Sequence, residues 1–243
     1  MTDVLVLTAL ELEARGLARQ LELPRLPHFA FPVYGLERSP AVRAPGRLRL
    51  APVGLRAGLL SDRWPVLTAD LLSPLVISAG TCGALAADLG VGDLLLPESV
   101  LGLQGERWNV TPGAHAAALG LAPEARQGLL LTSADVVGTP EEKAERFRAT
   151  AAAAVDLESA LILAWAARQG CPSLVVRAVS DTARQHLPSE LGGVVTPEGK
   201  IRAGRALALF LTHPRTIPDA FLLRRGTGRA LQAVARVLAA LAR

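Results

Sequence analysis

The 243-residue chain is 50% hydrophobic and 4% aromatic, with a mean hydropathy of +0.32. That composition excludes a disordered chain and supports a large buried core, built from Ala, Leu and Val rather than from aromatic rings. The formal charge is +4, unevenly spread: from Lys200 onward nine basic residues face one acid, Asp219, so this tail carries +8 and the preceding residues −4.

Such a tail has the chemistry to meet anionic lipid headgroups as a peripheral contact, or nucleic acid. The plainer reading is a solvated face on terminal helices, and no nucleic-acid partner is expected. Cys82 and Cys171 are far apart, and His28, His115, His186 and His213 share no ligand spacing. Neither a metal nor a cofactor is therefore expected. No signal-peptide pattern and no bilayer-length apolar run are seen, so the expected compartment is the cytoplasm.

In chain order, Val4–Leu7 reads as a buried strand and Glu11–Leu21 as a helix. Residues 24–47 are rich in Pro, Arg and Gly, and short extended segments are expected at Phe29–Tyr34 and Leu48–Val53. Gly54–Asp70 reads as a helix interrupted near Pro65. Leu75–Ser78 is a short strand ending in an Ala79–Gly83 turn, and Leu94–Leu96 is a further strand. Residues 102–127 show no clear period and receive no assignment. Gly128–Thr132 reads as a strand, Pro140–Ala149 as a charged helix, Ala151–Val155 as extended and Glu158–Arg168 as a helix stopped by Gly170 and Pro172. Ser173–Val179 is a strong buried strand, and the remainder is helical with Pro and Gly punctuation.

Strands alternating with helices predict an α/β fold: one domain over 1–243, with a central mixed, largely parallel sheet flanked by helices. A basic helical carboxy-terminal extension is expected from about residue 187.

Ligands in such sheets collect at the carboxyl ends of strands. Four strand ends carry acids or a Gly-Thr-Gly segment: Thr8 to Glu13, Ala79 to Gly83, Asp156 to Ser159, and Ser180 to Thr182. Any one acid at a strand-to-helix junction is ordinarily a helix cap. Several around one crevice fit acid–base chemistry. Splitting a nucleoside needs a protonated carboxyl for the departing purine, a carboxylate for the ribose hydroxyls, and a third to activate water at an oxocarbenium-like centre.

The segments Ile77-Ser-Ala-Gly-Thr-Cys-Gly-Ala-Leu85 with Gly92-Asp93, Val155-Asp-Leu-Glu158-Ser, and Val176-Arg-Ala-Val-Ser-Asp181-Thr resemble, in order and spacing, the motifs of the nucleoside phosphorylase/nucleosidase superfamily. With the amino terminus the likeness covers roughly residues 3–185. It implies that family's three-layer fold and a purine nucleoside as ligand. By it, Asp181 would protonate the purine at N7, next to Ser180, and Glu158 would bind the ribose hydroxyls, beside Asp156. Leu157 would pack on sugar or base, and the peptide around Val136 and Val137 would line the base. Glu13 resembles the water-activating glutamate of the methylthioadenosine/S-adenosylhomocysteine nucleosidases, with Thr81 and Gly83 beside the nucleophile.

Hexameric-type phosphorylases carry an arginine where Ser78 stands, and Glu13 would repel phosphate, so hydrolysis is favoured. Phosphorolysis remains the alternative, with Gly54, Arg56 and Thr81 holding phosphate. A non-catalytic nucleoside- or lipid-binding protein is the third reading. Leu187-Pro-Ser-Glu-Leu, Thr196-Pro-Glu-Gly-Lys-Ile201 and His213-Pro-Arg-Thr-Ile-Pro218, together with Lys143, resemble the hopanoid-associated phosphorylase branch. That likeness implies adenosylhopane as the nucleoside and membrane proximity for the tail. Family likeness also implies a homodimer or larger.

Overall fold

The computed structural model describes residues 3–37, 46–187, 196 and 217–241, with side chains undescribed over 217–224. The strands among these residues are β1 (Val4–Thr8), β2 (Tyr34–Leu36), β3 (Leu48–Pro52), β4 (Leu75–Ala84), β5 (Leu94–Leu95), β6 (Ser99–Leu101), β7 (Arg107–Asn109), β8 (Leu129–Thr132), β9 (Ala154–Asp156) and β10 (Ser173–Asp181). The helices are α1 (Glu11–Gln20), α2 (Leu60–Thr68), α3 (Pro112–Leu121), α4 (Pro140–Thr150), α5 (Ser159–Arg168) and α6 (Ile217–Leu241), with one 3-10 turn at Leu55–Ala57.

All ten strands join one mixed sheet in the order β2-β3-β1-β4-β9-β8-β6-β7, with β10 paired to β4 and β5. The three longest ladders, β1 with β3, β1 with β4 and β10 with β4, are parallel. This is the α/β class expected from the alternation of elements. Period-two burial explains the layering. Val6, Ile77, Leu174 and Val176 pack toward α1, α3 and α6, whereas Leu5, Leu7 and Val76 pack on the opposite face with α2 and with Ile162 of α5.

Helix α6 lies within the segment read as a basic extension, and its apolar side is part of the main core. Ala230, Val234 and Leu238 are buried there while Arg229 and Arg236 stay in solvent. It crosses the end of β10 so closely that a Cβ at Gly226 would sit 2.1 Å from the Ser180 carbonyl oxygen. Among the described residues no helix is long and apolar enough to cross a membrane.

Several local expectations need correction. The Ala79–Gly83 segment is not a turn: β4 runs through it to Ala84, because Gly83 and Ala84 find a new antiparallel partner in β9. Residues 102–127 hold β7 and α3, whose helix begins with Pro112 at its first turn, where a missing N–H costs nothing. Only Tyr34 of Phe29–Tyr34 is in a strand. The Gly54–Asp70 segment opens with the 3-10 turn, and Pro65 sits inside α2 without ending it. Ala151 caps α4 in the left-handed region, so β9 starts only at Ala154.

Candidate active site

The carboxyl ends of β1, β4, β9 and β10 meet around the second half of β4. Glu13, in the first turn of α1, links two of them. Its Oε2 accepts from the backbone N–H of Leu10 at 3.2 Å, as a helix cap does. Its Oε1 accepts from the Thr81 backbone N–H at 2.9 Å and from the Thr81 hydroxyl at 3.0 Å. The plain capping role and contact with β4 are thus both real. Gly80 makes the approach possible: at φ +148°, a Cβ there would lie 2.7 Å from both Glu13 Oε1 and Arg177 Nη1.

Arg177, which is absent from the site residues expected from the sequence, ties this corner together. It projects from the middle of β10 and is buried on all sides. Its Nη2 pairs with Asp156 Oδ2 at 2.8 Å and donates to the hydroxyls of Ser78 at 3.0 Å and Ser159 at 3.2 Å. Its Nη1 donates to the Thr81 carbonyl at 3.3 Å. Burial alone would lower its pKa, but the charges of Asp156, Glu158 and Glu13 raise it above the ordinary value. A lone arginine inside Leu174-Val-Val-Arg-Ala-Val179 was the available signal, since a buried charge demands partners. Asp156 is held by Thr132 Oγ1 at 2.8 Å and by the Ser159 N–H.

Glu158 precedes α5 and is buried, with Oε1 accepting from the Arg56 N–H at 3.2 Å. Burial pushes its carboxyl up to about 8, the nearby Asp156 charge adds to the rise, and Arg177 opposes it. Asp181 ends β10. A register shift between Val179 and Asp181 turns it toward β4, where a Cβ on Gly83 would lie 3.0 Å from its Oδ2. Oδ1 accepts from the Ser180 hydroxyl at 2.7 Å, and Oδ2 accepts from Lys143 Nζ at 2.6 Å. In the sequence Lys143 stands out only through its resemblance to the hopanoid-associated branch. On an exposed, charged helix nothing in the sequence marked it as buried.

The structure therefore brings Glu13, Asp156, Glu158 and Asp181 to the carboxyl end of the central strands, each at most 5% exposed. Leu157 is half-buried among them. Val136 is exposed, while the Val137 side chain packs into a core cluster with Leu85, Leu131, Ala152 and Val155. Gly54 caps the 3-10 turn at φ +79°. The Arg56 side chain leads outward, donating to the Ala134 carbonyl at 2.5 Å and pairing with Asp135 at 3.1 Å. Most of the hopanoid-branch residues, from Pro188 on, lie outside the described residues, and Thr196 is the exception before α6.

Residues 65–212, more than half of the chain, match the model of the Phosphorylase superfamily. The chain belongs to the phosphorylase superfamily. No curated protein matches it. Among solved structures, this superfamily member is similar to the 5′-methylthioadenosine/S-adenosylhomocysteine nucleosidase of Neisseria meningitidis in complex with methylthio-immucillin-A. The TM-score is 0.71 at 20% identity, over 99% of this chain and 98% of that one. It is similar to the futalosine hydrolase of Helicobacter pylori at TM-score 0.72 and 15% identity, over 99% and 97% of the two chains. It is also similar to the S-adenosylhomocysteine nucleosidase of Streptococcus pyogenes in complex with 5-methylthiotubericidin, at TM-score 0.71 and 17% identity, over 98% and 95%. At these identities the likeness establishes the fold. Membership makes the chain an enzyme of the phosphorylase superfamily, and its fold agrees.

Proposed function

We propose that this enzyme hydrolyses the N-glycosidic bond of a purine nucleoside, with water as the nucleophile. The observation that carries the choice of water is the pair of hydrogen bonds from Thr81 to Glu13. A phosphate nucleophile needs free N–H and hydroxyl donors at the glycine segment. Here a carboxylate of the protein already takes them. At about 4 Å and an effective dielectric near 20, each unit of like charge adds about 4 kcal/mol of repulsion. Arg56 and Arg177 are committed to Asp135 and Asp156.

In this reading Glu13 takes a proton from water as its oxygen bonds to the sugar carbon. Asp181 donates to the purine nitrogen as the C–N bond breaks and its electron pair leaves with the base. Glu158, with its raised pKa, holds a proton near neutral pH. It can donate to one ribose hydroxyl and accept from the other. Leu157 packs beside it, the peptide at Val136 and Val137 lies along the base, and Ser180 orients Asp181. Arg177 balances the negative charge of Asp156 and Glu13 beneath the sugar.

The relatives' ligands support a nucleoside rather than a nucleotide: their structures hold methylthio-immucillin-A and 5-methylthiotubericidin. The finer substrate reading is an adenine nucleoside with a bulky apolar 5′ group, of the adenosylhopane kind. The likeness of residues 187–218 to the hopanoid-associated branch supports it. The same reading gives the basic tail a membrane-surface contact and the enzyme a cytoplasmic, dimeric or larger state.

The test is free-base release from adenosine, methylthioadenosine, futalosine and a 5′-alkyl adenosine, with and without phosphate. Release independent of phosphate, yielding the free sugar, is expected. A strict phosphate requirement and a sugar 1-phosphate product would overturn the hydrolytic reading. Tight binding without base release would make this a binding protein.

A further inference from the structure

Lys143 is one of only two lysines in a chain with 24 arginines. It is fully buried, and each of its three ammonium donors has one acceptor: Asp181 Oδ2 at 2.6 Å, the Thr182 carbonyl at 2.8 Å and the Gln185 carbonyl at 3.0 Å. Helix α4 supplies it from a rigid position. Thr139 caps the helix through the Glu142 N–H, Pro140 starts it, and Lys143 lies one turn in.

This geometry can satisfy the donors and acceptors of two protonation states. As an ammonium, Lys143 donates to all three oxygens. As a neutral amine, it keeps both carbonyls satisfied with its two N–H groups and turns its lone pair to an Asp181 O–H. Because carbonyl oxygens cannot give up a proton, the only mobile one in the set lies on the line to Asp181. The other Asp181 oxygen has a similar option. The Ser180 hydroxyl lies 2.7 Å from Oδ1 and 3.2 Å from the Cys82 carbonyl, so it can donate to either and accept from Oδ1 when it donates to Cys82. An arginine in place of Lys143 would hold the charge but not release a proton.

We propose that Lys143 acts through Asp181 as the source of the proton delivered to the departing base. This rests on the hydrolytic reading above. Asp181 in contact with a buried ammonium is a carboxylate, which by itself has nothing to give. Lys143 Nζ passes a proton to Asp181, leaving a neutral amine beside a carboxylic acid. As the C–N bond breaks and its electron pair moves onto the base, a base nitrogen takes that proton from Asp181, so Asp181 ends as a carboxylate and Lys143 as a neutral amine. Water bonds to the sugar carbon and loses a proton to Glu13. Solvent carries that proton away and returns one to Lys143 after release, so the sum is nucleoside plus water giving free sugar and base.

The experiment compares Lys143→Met, Lys143→Gln and Lys143→Arg on two substrates. One is a purine nucleoside that the wild type cleaves. The other is 4-nitrophenyl β-ribofuranoside, whose leaving group departs as a stable anion and needs no proton. Thermal denaturation identifies the variants that fold, and Gln stands in for Met if the apolar variant does not. On the purine nucleoside, kcat is expected to fall by about 100-fold or more, the usual reach of general acid catalysis, with KM nearly unchanged. The Arg variant is expected to fall as far as the neutral ones. On the nitrophenyl riboside the loss should be about 10-fold or less. Equal losses on both substrates, or full activity in Lys143→Arg, would overturn the proposal while wild-type base release still upheld the hydrolytic reading. No base release by the wild type would overturn both.

Discussion

Arg177 and Asp156 lie on different strands, yet they form a 2.8 Å ion pair with each side chain only 1% exposed. Such a pair contributes little net stability when intact, but removing one member strands a buried charge. Asp156 keeps only Thr132 and the Ser159 N–H if Arg177 is lost. Arg177→Met should therefore destabilise the fold by about 3–5 kcal/mol, read from chemical denaturation. A loss under about 1 kcal/mol would mean that Asp156 is not charged in the folded state. The same variant removes the cation that balances Asp156 and Glu13 beneath the sugar, so base release should also fall.

Glu158 makes a prediction with a definite sign. Its folded pKa is raised, from 4.5 to about 8, chiefly by burial. Between those values the unfolded chain has lost this proton while the folded chain still holds it. Folded protein then binds more protons, so this residue's contribution to stability falls as pH rises through that window and levels off above about 8. Glu158→Gln removes the cost of ionising a buried acid. Its stability relative to wild type should improve from pH 5 to about pH 8 in urea titrations and then level off. A difference that stays flat with pH would show that Glu158 is not forced to hold a proton.

What the sequence made legible follows from where its signals are local. Glu13 and Glu158 stand at strand-to-helix junctions and Asp181 at the carboxyl end of β10, and those places are visible as an apolar run giving way to acids. In the β4 segment Gly80 and Gly83 read as turn formers, whereas they are needed for close approach by Arg177, Glu13 and Asp181. Lys143 was invisible for a different reason. The helix carrying it exposes most of its other charged residues, and only tertiary packing selects the one that is buried. Arg177 was legible in principle: a charge in the centre of a fully buried strand has no other explanation than partners from neighbouring strands.

Gly80 should tolerate no side chain. A Cβ placed there meets Glu13 Oε1 and Arg177 Nη1 at 2.7 Å, and φ +148° is unfavourable for any L residue. Both neighbours are buried, and Arg177 is tied to Asp156, so Glu13 is the side chain with freedom to yield. Gly80→Ala should then cost about 1–3 kcal/mol in backbone strain, with a loss in kcat well beyond what the stability change implies. Measured at a temperature where the variant is fully folded, unchanged kcat would show that Glu13 need not stay against Thr81.

Glu13→Gln separates charge from shape. The amide oxygen can still accept from the Thr81 N–H and hydroxyl, so folding should survive with a change in stability of about 1 kcal/mol or less, the scale of a single hydrogen bond. What disappears is the base that takes a proton from water, so kcat should fall by about 100-fold to 10,000-fold with KM little altered. Glu13→Ala goes further and frees both Thr81 donors, leaving an anion-sized gap. Added formate should restore part of the lost rate there, because a small carboxylate can occupy the gap and deprotonate water. It should do nothing for Glu13→Gln, where the gap is filled. If Glu13→Gln hydrolyses nucleosides at the wild-type rate, Glu13 is only a helix cap and strand tie, and the water must find its base elsewhere.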